Sequence, residues 1–132
     1  MTTSAACMCN SELRGKVLGI VGMGDIGIRV AQIASRGFGA EILAWGSRNP
    51  QERFARMQVE GRVADSLEEL LENSDIVSLH LPGTRKDLIN RETLKKMKLG
   101  SILINTARGS LVNEKDLYRA LREGHLAGLA WM

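Results

Sequence analysis

The sequence predicts an α/β protein with a doubly wound parallel sheet. Short apolar runs alternate with segments of helical spacing along the chain. Each run is almost entirely apolar, which is typical of parallel strands buried on both faces. A turn with glycines at positions 22, 24 and 27 separates the first run from the first helical segment, as in doubly wound sheets. We therefore expect a three-layer α/β/α domain, partial in extent, over residues 12–132, preceded by a disordered lead-in over residues 1–11.

Five apolar runs are the predicted strands. They cover Val17–Val21, Ile42–Trp45, Ile76–Leu79, Ile102–Ile104 and a stretch that begins at Leu126–Ala130. The region from residue 46 to residue 63 is charged and has little apolar periodicity. We expect it to be a surface connection that contains a short helix around Gln51–Met57.

Three helices are predicted from apolar residues that recur at helical spacing. The sets expected to share a face are Ile26, Val30, Ile33 and Ala34, then Leu67, Leu70 and Leu71, and then Leu117, Ala120 and Leu121. Ser66 and Glu69 have the spacing of a capping box, in which each side chain bonds the backbone N–H of the other residue. Asn90 and Asn113 precede charged helix-forming residues and are predicted N-caps.

The composition argues against several function classes. The net charge is only +3 and aromatic residues make up 4% of the chain, which is unlike a nucleic-acid-binding surface. No apolar run approaches the roughly 18 residues of a membrane span. Cys7 and Cys9 have no Cys or His cluster to complete a metal site. We therefore predict no metal site and expect a reduced, cytoplasmic protein.

The glycine turn has the Gly-x-Gly-x-x-Gly spacing of a dinucleotide-binding loop. Gly22 allows a tight turn, Gly24 leaves space for a pyrophosphate beside the backbone, and Gly27 lets the helix pack close to the strand. The N–H groups of Asp25 and Ile26, at the start of the helix, would then point at the phosphates. Because a strand precedes this loop and a helix and a second strand follow it, we predict a Rossmann-type cofactor site.

The end of the second predicted strand carries no acidic residue. A carboxylate about 20 positions after the glycine loop usually binds the ribose hydroxyls of NAD, but Gly46 occupies this place. Without that carboxylate, Ser47 and Arg48 could bind the 2′-phosphate of NADP. NADP(H) is therefore the favoured cofactor, and NAD(H) with a solvated Arg48 is the alternative.

Several segments resemble the D-isomer-specific 2-hydroxyacid dehydrogenases. They are ELRGKVLGIVGMGDIG, SDIVSLHLP and LINRETLKKMKLGSILINTARGSLVNEKDLYRALREGHLAGLAW. The block MKLGSILINTARGSLVNEKDL is the most specific of them, and the Trp-Gly-Ser-Arg region is similar to the glyoxylate and hydroxypyruvate reductases. The resemblance implies an oxidoreductase that reduces a small 2-oxoacid to the D-2-hydroxyacid, and a homodimer in the full-length protein.

The resemblance also assigns residues to a site. Asp25 and Ile26 match the pair whose backbone holds the pyrophosphate, while Gly46 departs from the ribose-binding acid. Arg108 matches the catalytic arginine. The residues that match positions along the cofactor are His80, Leu81, Pro82, Thr106 and Ala107.

The position of Arg108 in the predicted sheet supports the same role. Arg108 follows an apolar run and is expected at the carboxyl edge of the sheet, where doubly wound folds bind ligands. A guanidinium there could hold a 2-oxoacid carboxylate through two parallel hydrogen bonds and polarise the keto oxygen. A surface salt bridge is the alternative interpretation.

Part of the family's machinery has no match in this chain. The resemblance implies a histidine acid/base and a glutamate downstream of the strand that begins at Leu126. We expect His80 to contact the cofactor or to pack, and His125 to be structural. The chain is thus interpreted as a cofactor domain truncated before its last strands and lacking the substrate domain. The alternative function is a non-enzymatic, dinucleotide-sensing module similar to the C-terminal-binding-protein corepressors.

Overall fold

The computed structural model describes residues 12–46 and 49–131, so the predicted lead-in, Ser47 and Arg48 lie outside the described residues. Within that part, six parallel strands form one sheet in the order β3-β2-β1-β4-β5-β6. The strands are β1 (Val17–Val21), β2 (Glu41–Trp45), β3 (Gly61–Val63), β4 (Ile76–Leu79), β5 (Ser101–Asn105) and β6 (Leu126–Trp131). This topology confirms the predicted doubly wound sheet.

The helices cover both faces of the sheet. They are α1 (Asp25–Phe38), α2 (Pro50–Arg56), α3 (Leu67–Asn73), α4 (Arg91–Lys96) and α5 (Glu114–Arg122), with a 3₁₀ turn at Gly109–Leu111. Alternate strand residues enter two separate cores: Leu18 and Ile20 pack with α1 and α2, while Val21 packs with α3 to α5. In the described ranges, no helix has the length and apolar content needed to cross a membrane.

The carboxyl ends of the central strands are level with one another. Val21 at the end of β1 pairs with Trp45 on one side and with Leu79 on the other. Leu79 in turn pairs with Asn105. Because the chain order reverses between β1 and β4, the loops after these strands diverge and leave a crevice between them. The register therefore brings the ends of four strands to one edge of the sheet.

The predicted strands match the structure to within one residue at each end, but β3 was not predicted. Gly61–Val63 forms this edge strand inside the region expected to be a surface connection, so that expectation is wrong for these residues. This strand is formed by its pairing with β2. Its sequence has no apolar run that would predict a strand, because the central residue is the exposed Arg62. The short helix expected around Gln51–Met57 is confirmed as α2, at Pro50–Arg56.

The predicted core face of α1 is wrong at two of its four positions. Ile26 is 69% exposed and Ile33 is 56% exposed. The buried residues of α1 are Gly27, Ile28, Ala31 and Ala34. A Cβ at Gly27 would collide with the carbonyl oxygen of Gly22, so α1 lies too close to β1 for a large side chain there. Small residues at the contact, rather than the largest apolar ones, thus fix the rotation of this helix.

The other helices begin and pack largely as predicted. The leucines of α3 are buried, as are Leu117 and Ala120 of α5. The predicted caps that accept backbone N–H bonds are Ser66, Asn90 and Asn113. The capping box at Ser66 is only half formed, because the Glu69 carboxylate accepts from the N–H of Asp65 at 2.7 Å instead. A complete box forms between Asn90 and Thr93.

One face of β5 is not covered by any helix of the described residues. Leu103 is fully buried against α4 and α5, whereas Ile102 and Ile104 on the opposite face are half-buried. The expectation that strands are buried on both faces is therefore wrong here. The reason is that α1 and α2 both pack over the half of the sheet formed by β1, β2 and β3.

Candidate functional site

The glycine loop lies in the crevice between β1 and β4. Gly22 has a φ of +99°, and a Cβ there would lie 2.8 Å from the carbonyl of His80, so the turn requires glycine. Gly24 has an ordinary φ of −80°. No described heavy atom beyond its chain neighbours comes within 4 Å of its Cβ position. The space beside the Gly24 backbone is therefore open to a ligand.

The amino end of α1 faces this open space. Gly24 is the N-cap, and none of the described side chains caps the helix there. Asp25 and Ile26, the first two helical residues, are exposed. Free N–H groups and the positive end of the helix dipole favour an anion at such a terminus. The loop thus fits the pyrophosphate of a dinucleotide.

The end of β2 lies directly beside the loop. The Gly22 N–H donates to the Trp45 carbonyl at 2.8 Å. Gly46 has a φ of +94°, a conformation that side-chain-bearing residues rarely adopt. An aspartate or glutamate would be strained in this conformation, so the turn suits the glycine that stands here in place of the ribose-binding acid.

His80, at the end of β4, forms a polar wall of the crevice. Its N–H donates to the Val21 carbonyl at 2.7 Å, and its Nε2 lies 2.8 Å from Ser78 Oγ. Burial lowers the pKa of His80 below its usual value of 6.5. The ring is therefore neutral near pH 7 and adds no positive charge to the site.

The two residues after His80 differ in their exposure. Leu81 is buried, with its Cδ2 2.9 Å from the Cβ position of Gly22, whereas Pro82 is exposed. Beyond them, the Arg85 guanidinium lies 5.9 Å from the ring centre of Trp45, a cation–π contact across the mouth of the crevice. This contact was not predicted from the sequence, where nothing links the two residues.

Arg108 lies in an exposed turn that follows β5 on the same edge of the sheet. Its stem packs on Gly83, where a Cβ would lie 2.7 Å from Arg108 Cγ. Ser110 Oγ donates to the Gly83 carbonyl at 3.0 Å and ties the two loops together. Thr106 is exposed and Ala107 is half-buried. Among the described residues no carboxylate pairs with Arg108, so its guanidinium is available to a ligand.

Asn105 is a site residue that the sequence analysis missed. Its side chain is buried, with an exposure of 2%. Asn105 Nδ2 donates to the Arg108 carbonyl at 3.1 Å, and its Oδ1 accepts from the Ala107 N–H at 3.0 Å. Both bonds close the turn that carries Arg108. A lone polar residue at the end of an apolar strand is the signal that could have revealed it.

The structure brings most of the predicted site residues to one edge of the sheet. The glycine loop, Gly46, His80 and the Arg108 turn all follow the carboxyl ends of strands. His125 precedes β6 and lies at the opposite edge, where its Nε2 contacts the Met97 carbonyl at 2.8 Å. This bond is the structural role expected for His125.

Comparison with known proteins shows which family the chain belongs to. The family model described as the D-isomer specific 2-hydroxyacid dehydrogenase NAD binding domain matches residues 3–131. The chain belongs to this family. The NAD-binding domain is 46% identical over 123 residues to a glyoxylate reductase of Korarchaeum cryptofilum, which covers 92% of this chain and 36% of the relative.

Other relatives of this NAD-binding domain carry different names. It is 45% identical over 122 residues to a D-3-phosphoglycerate dehydrogenase of Bacillus subtilis, covering 91% of this chain and 22% of the relative. It superposes on the D-lactate dehydrogenase with NAD⁺ from Lactobacillus jensenii with a TM-score of 0.82 and 34% identity, covering 92% and 36% of the two chains. The chain thus spans roughly a third or less of the length of these relatives.

Proposed function

We propose that this chain is the NAD(P)-binding domain of an oxidoreductase that reduces a small 2-oxoacid of the glyoxylate or hydroxypyruvate type to the D-2-hydroxyacid. The observation that carries the proposal is the shared edge of the sheet, where an open glycine loop follows β1 and an exposed arginine follows β5, with only β4 between these two strands. The nicotinamide cofactor supplies the hydride when it is bound. The residues of this chain bind and orient the reactants.

Each part of the site has a distinct task in this proposal. The N–H groups of Asp25 and Ile26 bind the pyrophosphate, which lies in the space beside Gly24. The Arg108 guanidinium binds the oxoacid carboxylate through two hydrogen bonds and stabilises the charge that develops on the keto oxygen. Neutral His80 lines the crevice without attracting the carboxylate away from Arg108.

The substrate assignment rests on the sequence at the end of β2. The names of the relatives state different substrates. Sequence identity to these relatives therefore does not decide whether glyoxylate or another 2-oxoacid is the substrate. The run from Trp45 to Arg48 is similar to the glyoxylate and hydroxypyruvate reductases and supports this type. The corepressor-like module is the second candidate; an aspartate at position 46 would favour it, and this chain has Gly46 there.

NADP(H) is the proposed cofactor. Gly46 has no carboxylate that would repel a 2′-phosphate. Ser47 and Arg48, the next two residues in the sequence, supply a hydroxyl and a guanidinium to bind it. NAD(H) is the alternative, and the Lactobacillus jensenii structure is titled with NAD⁺.

Titration of the purified chain with NADPH and with NADH tests the cofactor proposal. We expect NADPH to bind about tenfold more tightly, because charge-assisted hydrogen bonds to the extra phosphate add to the shared contacts. Arg48→Ala is expected to reduce this difference, while Arg91→Ala, an exposed arginine on α4, serves as the charge-matched control. Tighter binding of NADH together with no effect of Arg48→Ala would contradict the proposal.

A further inference from the structure

A cavity between α1 and α2 is lined by arginines that the proposed function does not yet use. Its volume is about 340 Å³, and its lining residues are Asp25, Ile28, Arg29, Arg53, Arg56 and Met57. We call this cavity the arginine pocket. Asp25, the first residue of α1 after the glycine loop, is part of this lining. The arginine pocket therefore adjoins the glycine loop.

The arginine pocket has a surplus of positive charge. Arg53 Nη1 lies 3.3 Å from Asp25 Oδ1, and Arg56 makes a longer contact of 3.7 Å with Glu52, outside the lining. Arg29 has no ion-pair partner among the described residues. The Asp25 side chain is 99% exposed, and ion pairs in such solvent contribute little to stability. Three guanidinium groups around one carboxylate thus do little for the fold and favour an anionic ligand.

The two walls of the arginine pocket are held at a fixed separation. Arg36 Nη2, on α1, donates to the Met57 carbonyl at 3.1 Å and to the Gln58 carbonyl at 3.3 Å, at the end of α2. Phe54 of α2 is buried in the same core as α1. These contacts hold α2 against α1, so Arg53 lies beside the first turn of α1, where the cofactor is proposed to bind.

We propose that the arginine pocket binds the phosphate monoester on the adenosine ribose of the cofactor, with Arg53 and Arg29 as the discriminating residues. The inference deepens the proposed function and rests on the proposal of NADP(H). A phosphate monoester carries nearly two negative charges and three acceptor oxygens, which suit guanidinium forks. Asp25 alone would repel this group. The ion pair with Arg53 offsets the negative charge of Asp25. The same pair places the Arg53 guanidinium where it can bridge the Asp25 carboxylate and the phosphate.

The test is an NMR titration of the ¹⁵N-labelled chain with NADPH, NADH and inorganic phosphate, following the arginine Nε–Hε signals.

Arg53→Gln and Arg29→Gln are each expected to weaken NADPH binding about tenfold, since each removes charged hydrogen bonds to the phosphate. NADH binding is expected to change less than twofold in both variants. Arg119→Gln, an exposed position on α5, is the control with the same charge change. Arg53→Lys keeps the charge but not the fork and is expected to be intermediate.

The outcomes separate the arginine pocket from the cofactor proposal. Shifts of the Arg53 and Arg29 signals with NADPH and with millimolar inorganic phosphate, but not with NADH, would support the pocket. If both glutamine variants keep the full preference for NADPH, the proposal for the arginine pocket is wrong, while the NADP(H) proposal is unaffected. Equal binding of the two nucleotides by the unaltered chain would overturn both. Thermal melts of the variants establish that each one is folded.

Discussion

Asn105 shows how one buried polar side chain can position a candidate catalytic residue. It donates to the Arg108 carbonyl and accepts from the Ala107 N–H, so both ends of the turn depend on one amide. The stem of Arg108 then packs on Gly83, which has no Cβ to push it away. The guanidinium stays exposed although its backbone is fixed.

Asn105→Ala is expected to destabilise the chain by about 1–3 kcal/mol, because it removes two hydrogen bonds that the buried Asn105 side chain makes to the turn. Chemical denaturation measures this loss. Asn73→Ala is the matched control, since the side chain of the exposed Asn73 donates to the Glu69 carbonyl of its own helix. Its effect should be within about 0.5 kcal/mol.

Hydrogen exchange at Ala107 separates positioning from general stability. Asn105→Asp keeps the oxygen that accepts from Ala107 but loses the donor to the Arg108 carbonyl. Exchange of the Ala107 N–H should therefore stay slow in Asn105→Asp and become faster in Asn105→Ala, relative to the amides of β4. Equal exchange in the two variants would contradict the positioning role.

At the scale of elements, the glycine loop joins a strand, a helix and the neighbouring strand. Its three glycines are required for different reasons: a positive φ and a close carbonyl at Gly22, open space at Gly24, and helix contact at Gly27. The sequence motif predicted these roles because the geometry of this turn follows from local spacing. Binding at the loop remains a proposal.

The three reasons predict different effects of alanine substitutions. Gly22→Ala should lower the Tm and abolish NADPH binding, because the new Cβ meets the His80 carbonyl at 2.8 Å. Gly24→Ala should leave the Tm within a few degrees but weaken NADPH binding at least about tenfold, since its Cβ occupies the space of the pyrophosphate. Gly37→Ala, on an open position of α1, is the control and should not weaken binding. Unchanged binding by Gly24→Ala would contradict the proposed loop.

Asp75, directly before β4, binds β1 through Val17 and β5 through the Ile102 N–H, which donates to the Asp75 carbonyl at 3.1 Å, at the amino edge of the sheet. Its Oδ2 accepts from the Val17 N–H at 2.8 Å, and its Oδ1 lies 3.1 Å from Lys98 Nζ. Burial raises the pKa of Asp75, but the bonds from Val17 and Lys98 outweigh it and bring the pKa below the usual 3.8. Because the folded pKa is depressed, the ionised carboxylate stabilises the fold above the unfolded pKa.

The free energy of unfolding should therefore differ between the unaltered chain and Asp75→Asn at pH 7. The difference should shrink as the pH falls below about 4 and through the folded pKa, where the carboxylate becomes protonated. Urea denaturation across this range measures it. Asp65→Asn, whose exposed carboxylate makes no hydrogen bond in the described structure, should show no comparable effect. A difference that does not vary with pH would contradict the assigned role of Asp75.

At the scale of the whole molecule, the alternation of apolar runs and helical segments was enough to predict the fold class and to place the candidate site residues at one edge of the sheet. Parallel strands place all their carboxyl ends together, so residues that follow strands converge whatever their separation in sequence. The rotation of α1 and the uncovered face of β5 were not predicted, because they depend on which elements pack together. The arginine pocket depends in the same way on the packing of α2 against α1, which no local pattern shows.

The described histidines do not supply an obvious proton donor for the oxoacid. His80 is neutral, with its Nε2 beside Ser78, and His125 bonds a carbonyl at the other edge of the sheet. We therefore expect the 132-residue chain to reduce glyoxylate with NADPH at an immeasurably low rate, even where the same preparation binds NADPH. The absorbance of the reduced nicotinamide follows the reaction. Robust turnover that His80→Gln abolishes would contradict this expectation.

The central claim is that the carboxyl edge of the sheet binds a dinucleotide between the glycine loop and the Arg108 turn. A ¹⁵N amide titration of the chain with NADPH tests it most directly. We predict that the largest chemical-shift changes occur at Gly24, Asp25, Ile26 and the turn from Thr106 to Arg108, and that Gly24→Ala reduces them. Changes confined to the opposite edge, around Gly100 and Gly124, or no changes at millimolar NADPH, would contradict it.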